Sequence, residues 1–220
     1  MTSATTSIQG PVAAVIGDLV GSRLHGDQSA LFDSIKKILE QVNLDIRPVQ
    51  PLQMTIGDEF QAAYETIADA LDACLMIRLR LASTCDVRFG IGWGEITEYD
   101  RSLAPMAQSG TAWWNAREAL DIVSKNVSLQ GWPRGLRTWV IGIEPETDAS
   151  CNAFLLCRDE LLSAMDDRAS YVTLGLILGH RQVDIAKKLG ISQPSVSKRK
   201  QESGAAAILR AHQLLKEAAR

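Results

Sequence analysis

Val12-Ala-Ala-Val-Ile-Gly-Asp18 begins with five consecutive apolar residues and ends in a glycine and an aspartate. A continuous apolar run, without polar alternation, is typical of a strand that is buried on both faces. From Pro11 to about Ile143 the chain then alternates between strand patterns and helical patterns. We therefore predict an α+β domain with this strand near the middle of its sheet.

The other elements of this domain follow from the spacing of apolar residues and from turn residues. In chain order they are a helix from Leu31 to Val42, a hairpin over Leu52–Tyr64 that turns at Gly57-Asp58, a helix over Ile67–Leu81, a strand over Val87–Ile96, a helix over Trp113–Val123 and a strand over Leu136–Ile143. The paired tryptophans Trp113 and Trp114 are predicted to be core or dimer-interface anchors, since aromatic pairs at a helix start most often serve in that way.

A different pattern occupies Gln182-Val-Asp-Ile-Ala-Lys-Lys-Leu-Gly-Ile-Ser-Gln-Pro-Ser-Val-Ser-Lys-Arg-Lys-Gln201. Gly190 supplies the left-handed residue of a tight turn, and Ser192 with Pro194 is typical of a helix start. Val196 is expected to point back at the first helix. The stretch resembles the helix-turn-helix of bacterial transcription regulators, over about 20 residues.

That resemblance implies that the outer face of the second helix enters the major groove of DNA. Gln193 is expected to pair with adenine and Lys198 with guanine, while other basic residues contact phosphates. The predicted DNA-contacting residues are Gln182, Lys187, Lys188, Ser192, Gln193, Pro194, Ser197, Lys198, Arg199, Lys200 and Gln201.

Two further helices flank this stretch. A helix over Asp167–Gly179 is predicted to precede it, with a buried face of Tyr171, Leu174, Ile177 and Leu178. An amphipathic helix over Ala205–Ala218 follows, and its apolar side either packs on the module or pairs two chains.

Charge is divided unevenly along the 220 residues. Residues 180–220 carry nine Lys and Arg against three acids, a formal charge of +6, whereas the whole chain carries −3 and the remainder therefore −9. A basic end on an acidic body favours a separate module with a polyanionic partner.

Composition excludes most secreted and integral-membrane classes. No apolar run approaches the roughly 20 residues of a membrane helix. Residues 1–10 have neither a basic start nor an apolar stretch, so we expect a disordered tail there and no secretory signal. The four cysteines form no metal or redox pair, and the three histidines are expected at the surface. A cytoplasmic location follows from these patterns.

Two aspartates at predicted strand ends are the candidate chemical groups of the first domain. Asp18 ends the buried strand and Asp58 lies at the tip of the hairpin. Two carboxylates on neighbouring strands repel each other and are usually kept for a divalent cation. The turn after Asp18 is expected to present backbone N–H groups to phosphate oxygens. The predicted nucleotide-binding residues are Leu19, Val20, Gly21, Ser22, Arg23 and Gly57.

The order of motifs resembles that of the class III nucleotidyl cyclases. Those enzymes carry Asp-Ile-Val-Gly-Phe, Lys-Thr-Ile-Gly-Asp, Gly-Ile-His-x-Gly and Gly-x-x-Val-Asn-x-Ala-x-Arg. This chain carries Asp-Leu-Val-Gly from Asp18, Thr-Ile-Gly-Asp ending at Asp58, Gly-Ile-Gly-Trp-Gly from Gly90, and Gly-x-x-Trp-Trp-Asn-Ala-Arg from Gly110. The resemblance covers about residues 12–123. It implies a ferredoxin-like palm in which Asp18 and Asp58 bind Mg²⁺ or Mn²⁺ with a nucleotide. With the appended helix-turn-helix, the whole chain resembles the SatD family of bacteria.

The departures from the cyclase pattern concern the residues that convert the nucleotide. The purine-reading lysine falls on Met54, and its acidic companion falls on Ala107. Counted from Gly110, the positions of the transition-state asparagine and arginine hold Trp114 and Glu118. A shift by one residue recovers Asn115 but places Ala119 at the arginine position, and Arg117 fits only in another helical register. Loss of such an arginine typically costs several powers of ten in rate.

We therefore predict a tail at 1–10, a cyclase-like palm at 11–144, a linker at 145–151, and an all-α domain at 152–220 with the helix-turn-helix at about 182–201. The predicted function is a transcriptional regulator that binds double-stranded DNA as a homodimer, with a degenerate palm that senses a nucleotide or metal or mediates dimerisation. The alternatives are an active Mg²⁺-dependent nucleotidyl cyclase or nucleotidyltransferase with a DNA-binding tail, and an adaptor that binds neither ligand.

Overall fold

The computed structural model describes residues 10–21, 28–100 and 107–218. The predicted tail therefore lies almost wholly outside the described residues. The elements in chain order are β1 Val12–Val20, α1 Gln28–Asp45, β2 Gln50–Met54, β3 Glu59–Tyr64, α2 Ile67–Leu81, β4 Asp86–Gly94, β5 Thr97–Asp100, β6 Ala107–Ser109, α3 Thr111–Asn126, β7 Thr138–Ile141, α4 Pro145–Ser163, α5 Asp167–Ile177, α6 Gln182–Leu189, α7 Gln193–Glu202 and α8 Ala205–Ala218.

The main sheet has five strands in the order β2-β3-β1-β4-β7, and β5 pairs with β6 in a separate ribbon. Only β4 and β7 run parallel among the paired strands described. β1 is the central strand, as its continuous apolar run predicts. The first six elements, β1-α1-β2-β3-α2-β4, follow the ferredoxin-like succession of strands and helices. The α+β prediction is confirmed.

Alternate side chains of β1 enter two different apolar clusters. Ala13, Val15 and Leu19 pack with the buried residues of α1 and α2 on one face of the sheet. Val12 and Ile16 pack on the other face with α3. Because successive side chains of a strand point to opposite faces, this run has to be apolar throughout to serve both layers.

The glycines of β4 allow α3 to lie directly on the strand. A Cβ atom at Gly90 would stand 2.0 Å from the carbonyl oxygen of Ala116, and one at Gly92 would stand 2.1 Å from that of Ala112. Both approaches are far shorter than van der Waals contact, so neither position accepts a side chain without moving the helix. These glycines therefore set the distance between α3 and the sheet.

The outer edge of β7 is covered by side chains of α4 where a further strand would otherwise pair. Three alternate backbone N–H groups of this edge donate to three side chains on α4. The pairs are Thr138 N to Asp159 Oδ2 (2.7 Å), Val140 N to Asn152 Oδ1 (2.8 Å) and Gly142 N to Asp148 Oδ2 (2.9 Å). Because an uncovered edge invites pairing with another chain, α4 protects the sheet as well as packing on it.

Residues 145–151, which the sequence predicts to be a linker, are helical in the structure. These residues form the first turns of α4, which begins at Pro145 and continues to Ser163. Pro145 occupies a first-turn position, where the missing N–H costs nothing, and Asp148 binds the end of β7. The acidic composition that suggested a linker therefore belongs to a helix start fixed to the sheet.

The buried face of α5 differs from the prediction at Tyr171. Tyr171 is 36 % exposed, whereas Val172 is fully buried with Ile185, Ala186 and Val196 of the next two helices. Leu174, Ile177 and Leu178 are partly buried and pack against the apolar cluster of the sheet. α5 thus lies between α2 and the pair formed by α6 and α7, and its fully buried residues are small or β-branched because helices approach it from both sides.

The last helix is docked on the palm through a buried polar contact. His212 of α8 is 8 % exposed, and its Nδ1 lies 2.5 Å from the carboxylate of Asp72 on α2. Lys216 lies 3.4 Å from the same carboxylate. The expected surface position of His212 is therefore wrong, because Asp72 provides a partner inside the fold. α8 packs on α2, α5 and α7 of the same chain.

Candidate functional site

Asp18 lies at the meeting point of three strands. In the sheet register it stands opposite Glu59 of β3 and opposite Arg88 of β4. Directly opposed residues place their side chains on the same face, here the face that carries α3. The carboxylate of Asp18 forms an ion pair with the guanidinium of Arg88. Burial raises the pKa of Asp18, and Arg88 opposes part of that rise.

Asp58 lies in the turn between β2 and β3, where Gly57 adopts a positive φ of 71°. The predicted hairpin is thus present with its turn in the expected place. The backbone N–H of Leu19 donates to the carbonyl oxygen of Asp58 at 3.2 Å, which ties the turn to the end of β1. The negative charges of Asp58 and Glu59 both raise the pKa of Asp18. We call Asp18, Asp58 and Glu59 the acidic cluster.

Arg117 of α3 supplies a second cation to the acidic cluster. Its two terminal nitrogens donate to the two carboxylate oxygens of Glu59, each at 2.7 Å. This two-point pairing raises the pKa of Arg117, chiefly through the hydrogen bond with Glu59 and also through the charges of Glu59 and Asp18. Two guanidiniums, those of Arg88 and Arg117, therefore contact the acidic cluster, one at Asp18 and the other at Glu59.

The predicted phosphate-binding turn is only partly within the described residues. Leu19 is 2 % exposed, and its N–H already bonds to Asp58, so the expectation that it contacts phosphate differs from the structure. Val20 remains in the β1–β4 ladder, opposite Asp86. Gly21 is exposed with a positive φ of 74°. Ser22 and Arg23 lie outside the described residues.

The positions that depart from the cyclase pattern lie at the end of β2, at the start of β6 and on α3. Asn115 donates from Nδ2 to the carbonyl oxygen of Trp93 at 2.9 Å, so it binds the sheet beneath α3. Met54 lies opposite Phe60 in the hairpin, and Ala107 begins β6. Glu118 is exposed on α3. Asn115 and Arg117 thus leave α3 in different directions, one toward β4 and the other toward the hairpin.

Arginines occupy the surroundings of two carboxylates of the acidic cluster, those of Asp18 and Glu59. Among the described residues there is no group of three His, Cys, Asp or Glu arranged to hold a metal. The carboxylate of Asp18 is engaged by Arg88, and both oxygens of Glu59 are engaged by Arg117. Mg²⁺ and Mn²⁺ need oxygen ligands with free lone pairs, whereas these oxygens already face positive charge.

α6 and α7 form the second candidate site. Gly190 ends α6 with φ of 65° and ψ of 31°, and Ser192 caps α7 by accepting from the N–H of Ser195. Val196 of α7 is fully buried on the side of the helix that faces α5 and α6. The predicted base-contacting side of α7 faces solvent, with Ser192, Gln193, Pro194, Lys198 and Gln201 exposed and Ser197 partly exposed.

A hydrogen bond joins the starts of the two helices. Gln193 donates from Nε2 to Oε1 of Gln182 at 2.7 Å, and both side chains reach solvent. The second N–H and the carbonyl oxygen of the Gln193 amide carry no partner within hydrogen-bond distance in the described part of the chain. Gln182 therefore restricts the orientation of an amide that still has a donor and an acceptor to offer.

The basic residues of this surface are not equivalent. Lys187 and Lys188 are exposed at the end of α6, and Lys200 is partly exposed on α7. Arg199 instead pairs with Asp166, the N-cap residue of α5, at 2.8 Å. Arg199 thus links α7 to the start of α5 through a partly exposed ion pair.

The sequence profile of one protein family covers nearly the whole chain, over residues 12–218. The chain belongs to the SatD family. A search of curated proteins gave no match. Solved structures with a similar fold include a bacterial light-regulated adenylyl cyclase, with 13 % identity, a TM-score of 0.44 and coverage of 52 % of this chain and 40 % of that chain. This SatD protein thus spans less than half of that cyclase.

Two other solved structures resemble parts or most of this SatD protein. The guanylate cyclase domain from Catenaria anguillulae in complex with GTP has 14 % identity and a TM-score of 0.41, covering 51 % of this chain and 72 % of that one. The regulator of polyketide synthase expression from Bifidobacterium adolescentis has 13 % identity and a TM-score of 0.31, covering 96 % of this chain and 82 % of that one. At these identities the likeness concerns the fold alone. Within the described residues, no helix has the length and hydrophobicity to cross a bilayer.

The residues that hold the SatD palm to its C-terminal helices were missed by sequence reasoning. Asp159 and Asn152 of α4 are buried and bind β7, and Arg78 of α2 pairs with Asp159. The available signal was the spacing along α4, where Asn152, Leu155, Asp159 and Leu162 recur at intervals of three and four residues. Polar residues in an apolar stripe at that spacing indicate buried side chains with partners.

Proposed function

We propose that this SatD protein is a DNA-binding regulator in which α7 enters the major groove. The observation that carries the proposal is the division of α7 into two sides. Val196 is fully buried against α5 and α6, whereas the polar residues from Ser192 to Gln201 face solvent. A short helix that packs on its neighbours through one side and exposes the other side to solvent has the geometry required for insertion into a groove.

Two side chains on the open face supply base readout. Gln193 is held by Gln182 and keeps one donor and one acceptor, the pair needed for a two-point contact with adenine. Lys198 is exposed and makes only a 3.8 Å contact with Glu202, so it can turn toward guanine at little cost. These assignments deepen the sequence prediction, since the structure supplies the neighbour that orients Gln193.

Phosphate contacts come from the exposed lysines around this face. Lys187 and Lys188 at the end of α6 and Lys200 on α7 lie outside the apolar contacts of the module. Residues 180–220 carry a formal charge of +6, which provides the attraction to a polyanion that base contacts alone do not. Arg199 has a structural role beside Asp166 and is left out of this set.

The palm has the role of fixing the position of two such modules in a homodimer. Symmetric regulators place their recognition helices about 34 Å apart, so the spacing depends on how the bodies associate. Trp114 is 64 % exposed on α3 and Ile56 is 84 % exposed on the β2–β3 turn. The Arg117–Glu59 pair links these two elements, and exposed apolar residues of this kind are candidates for the contact between copies. A nucleotide at the palm would change DNA binding only if it bound two arrangements of the homodimer with different affinities.

The test is a gel shift and footprint on the DNA upstream of the protein's own gene, with and without nucleoside triphosphates and Mg²⁺. We expect a protected site there and weaker binding to random duplex, of about micromolar affinity at low salt. If no duplex is bound at low salt, the function is wrong, because the phosphate contribution does not depend on sequence.

Substitutions on the two helices should separate base contacts from phosphate contacts. Gln193→Ala and Lys198→Ala should each lower specific binding by about 1–3 kcal/mol with little change on random duplex. Lys187→Ala should weaken binding to both duplexes roughly equally. The measurement is a pair of Kd values for each variant at one salt concentration. Equal losses on both duplexes for all three variants would show that the face assignment is wrong.

An active cyclase is the second candidate, favoured by the closeness of Asp18 and Asp58 at one end of the sheet. We expect no cyclic product from labelled ATP or GTP with Mn²⁺. Asn115 is bound to Trp93, and the carboxylates of Asp18 and Glu59 face arginines. A cyclic product that disappears in Asp58→Asn would reverse this conclusion and favour the enzyme.

A further inference from the structure

The charges of two members of the acidic cluster, Asp18 and Glu59, are balanced by the protein itself. Arg88 stands opposite Asp18 in the β1–β4 register, and its guanidinium pairs with the carboxylate across the sheet. Arg117 reaches Glu59 from the helix that covers the same face. The two cations beside the acidic cluster therefore come from two different elements, β4 and α3.

The surroundings make displacement of Arg88 costly. The side chains of Asp18 and Arg88 are 16 % and 23 % exposed, so neither recovers full hydration if the pair separates while the sheet stays folded. Removing one partner of a largely buried pair leaves an uncompensated charge. A divalent ion that coordinates Asp18 would have to bear that cost before gaining from its new ligands.

The total charge leads to the same result. Asp18 and Glu59 each carry one negative charge, and Arg88 and Arg117 each pair with one of them, so these four groups together carry no net charge. A divalent ion added to the group would make it positive, and it would lie beside two guanidiniums. Like charges at such distances destabilise each other, and more so where water is partly excluded.

We propose that Arg88 and Arg117 take the place that a divalent cation would have in the acidic cluster, so that the palm of this protein folds and acts without Mg²⁺ or Mn²⁺. The guanidinium of Arg88 neutralises Asp18, and that of Arg117 neutralises Glu59 and holds the hairpin against α3. This assignment concerns the palm alone and does not rest on the DNA-binding function.

The first test measures Mn²⁺ uptake by the whole chain, using the electron paramagnetic resonance signal of free Mn²⁺ together with thermal unfolding. For the wild type we expect no saturable binding up to about 1 mM Mn²⁺, the weak end of protein cation sites, and an unchanged Tm. One bound ion per chain that is lost in Asp18→Asn would overturn the proposal.

The second test removes the arginine. In Arg88→Met the acidic cluster loses the cation that pairs with Asp18, and we expect Mn²⁺ to bind one site per chain and to raise Tm by several degrees. Arg88→Lys keeps the charge and Arg134→Met changes an arginine outside the cluster, so both should behave as the wild type. If folded Arg88→Met takes up no Mn²⁺, arginine is not what excludes the ion and the proposal is wrong.

A milder variant covers the case in which Arg88→Met does not fold. Arg117→Gln frees Glu59 at an exposed pair, where the loss of stability is small. Mn²⁺ binding should then appear with lower affinity than in Arg88→Met, and its absence would contradict the assignment. A gel shift on the same samples reports DNA binding separately, so failure of one proposal is distinguishable from failure of the other.

Discussion

Replacing Asp159 with alanine should lower the free energy of unfolding by about 3–5 kcal/mol, because the change removes the carboxylate that pairs with two buried arginines. Asp159 is fully buried. It lies 2.9 Å from Arg78 and 3.0 Å from Arg158, and its Oδ2 accepts from the N–H groups of Arg137 and Thr138 at 2.8 and 2.7 Å. Burial lowers the pKa of Arg78 and Asp159 acts to raise it, so the variant loses the main compensation for that buried charge.

Urea or guanidinium denaturation at neutral pH measures this change. Asp121→Ala is the matched control, since Asp121 is exposed and pairs with the exposed Lys125 at 3.3 Å, one helical turn away. We expect the control to lie within about 0.5 kcal/mol of the wild type. Equal midpoints for the two variants would show that the buried group does not hold α4 to the palm.

Removing three lysines from the α6–α7 surface should cause the largest loss of DNA affinity. In a chain with Lys187→Ala, Lys188→Ala and Lys200→Ala, we expect binding to any duplex to weaken on the order of 100-fold at moderate salt. The slope of log K against log salt should fall in magnitude by about 3, because each lysine that is replaced neutralises one phosphate in the wild type. Fluorescence anisotropy across a salt series measures both quantities on the same duplex.

The matched control removes the same charge from the palm. Lys36 and Lys37 on α1 and Lys125 on α3 are all exposed, and their replacement with alanine changes the net charge by the same amount. If this control lowers affinity and slope as much as the first variant, binding depends on total charge and the α6–α7 surface is not the contact. A small effect of the control and a large effect of the first variant support the assignment.

Local patterns predicted the elements well where neighbours in sequence supply the stabilising contacts. The helix over Ile67–Leu81 has the predicted bounds, and the hairpin turns at Gly57 as expected. β1 is central because its apolar run serves both faces of the sheet. Gly190 and Val196 occupy the left-handed and buried positions that their spacing predicts. Each of these features depends on residue type and on contacts within a few turns of chain.

Predictions that required distant partners were incomplete. The acidic start of α4 has the composition of a linker, and its partner, the edge of β7, lies outside any local window of sequence. His212 was expected at the surface, yet it meets Asp72, which is 140 residues away. Nothing in the spacing of either residue indicates the other. Such contacts form only when the palm and the last helices pack together.

The amino-acid sequence alone determined a buried central strand, a hairpin that brings a second aspartate to its end, and a basic helical pair with a turn at Gly190. These follow from periodicity and backbone preference, which act between near neighbours. Only the tertiary structure decided which charged side chains form ion pairs within the protein and which remain exposed to solvent. Asp18 is matched by Arg88 across the sheet and Arg199 by Asp166 across two helices, whereas Lys187 and Lys188 stay open to solvent. The physical reason is that an ion pair depends on distance in space, and residues far apart in the chain acquire that distance only by folding.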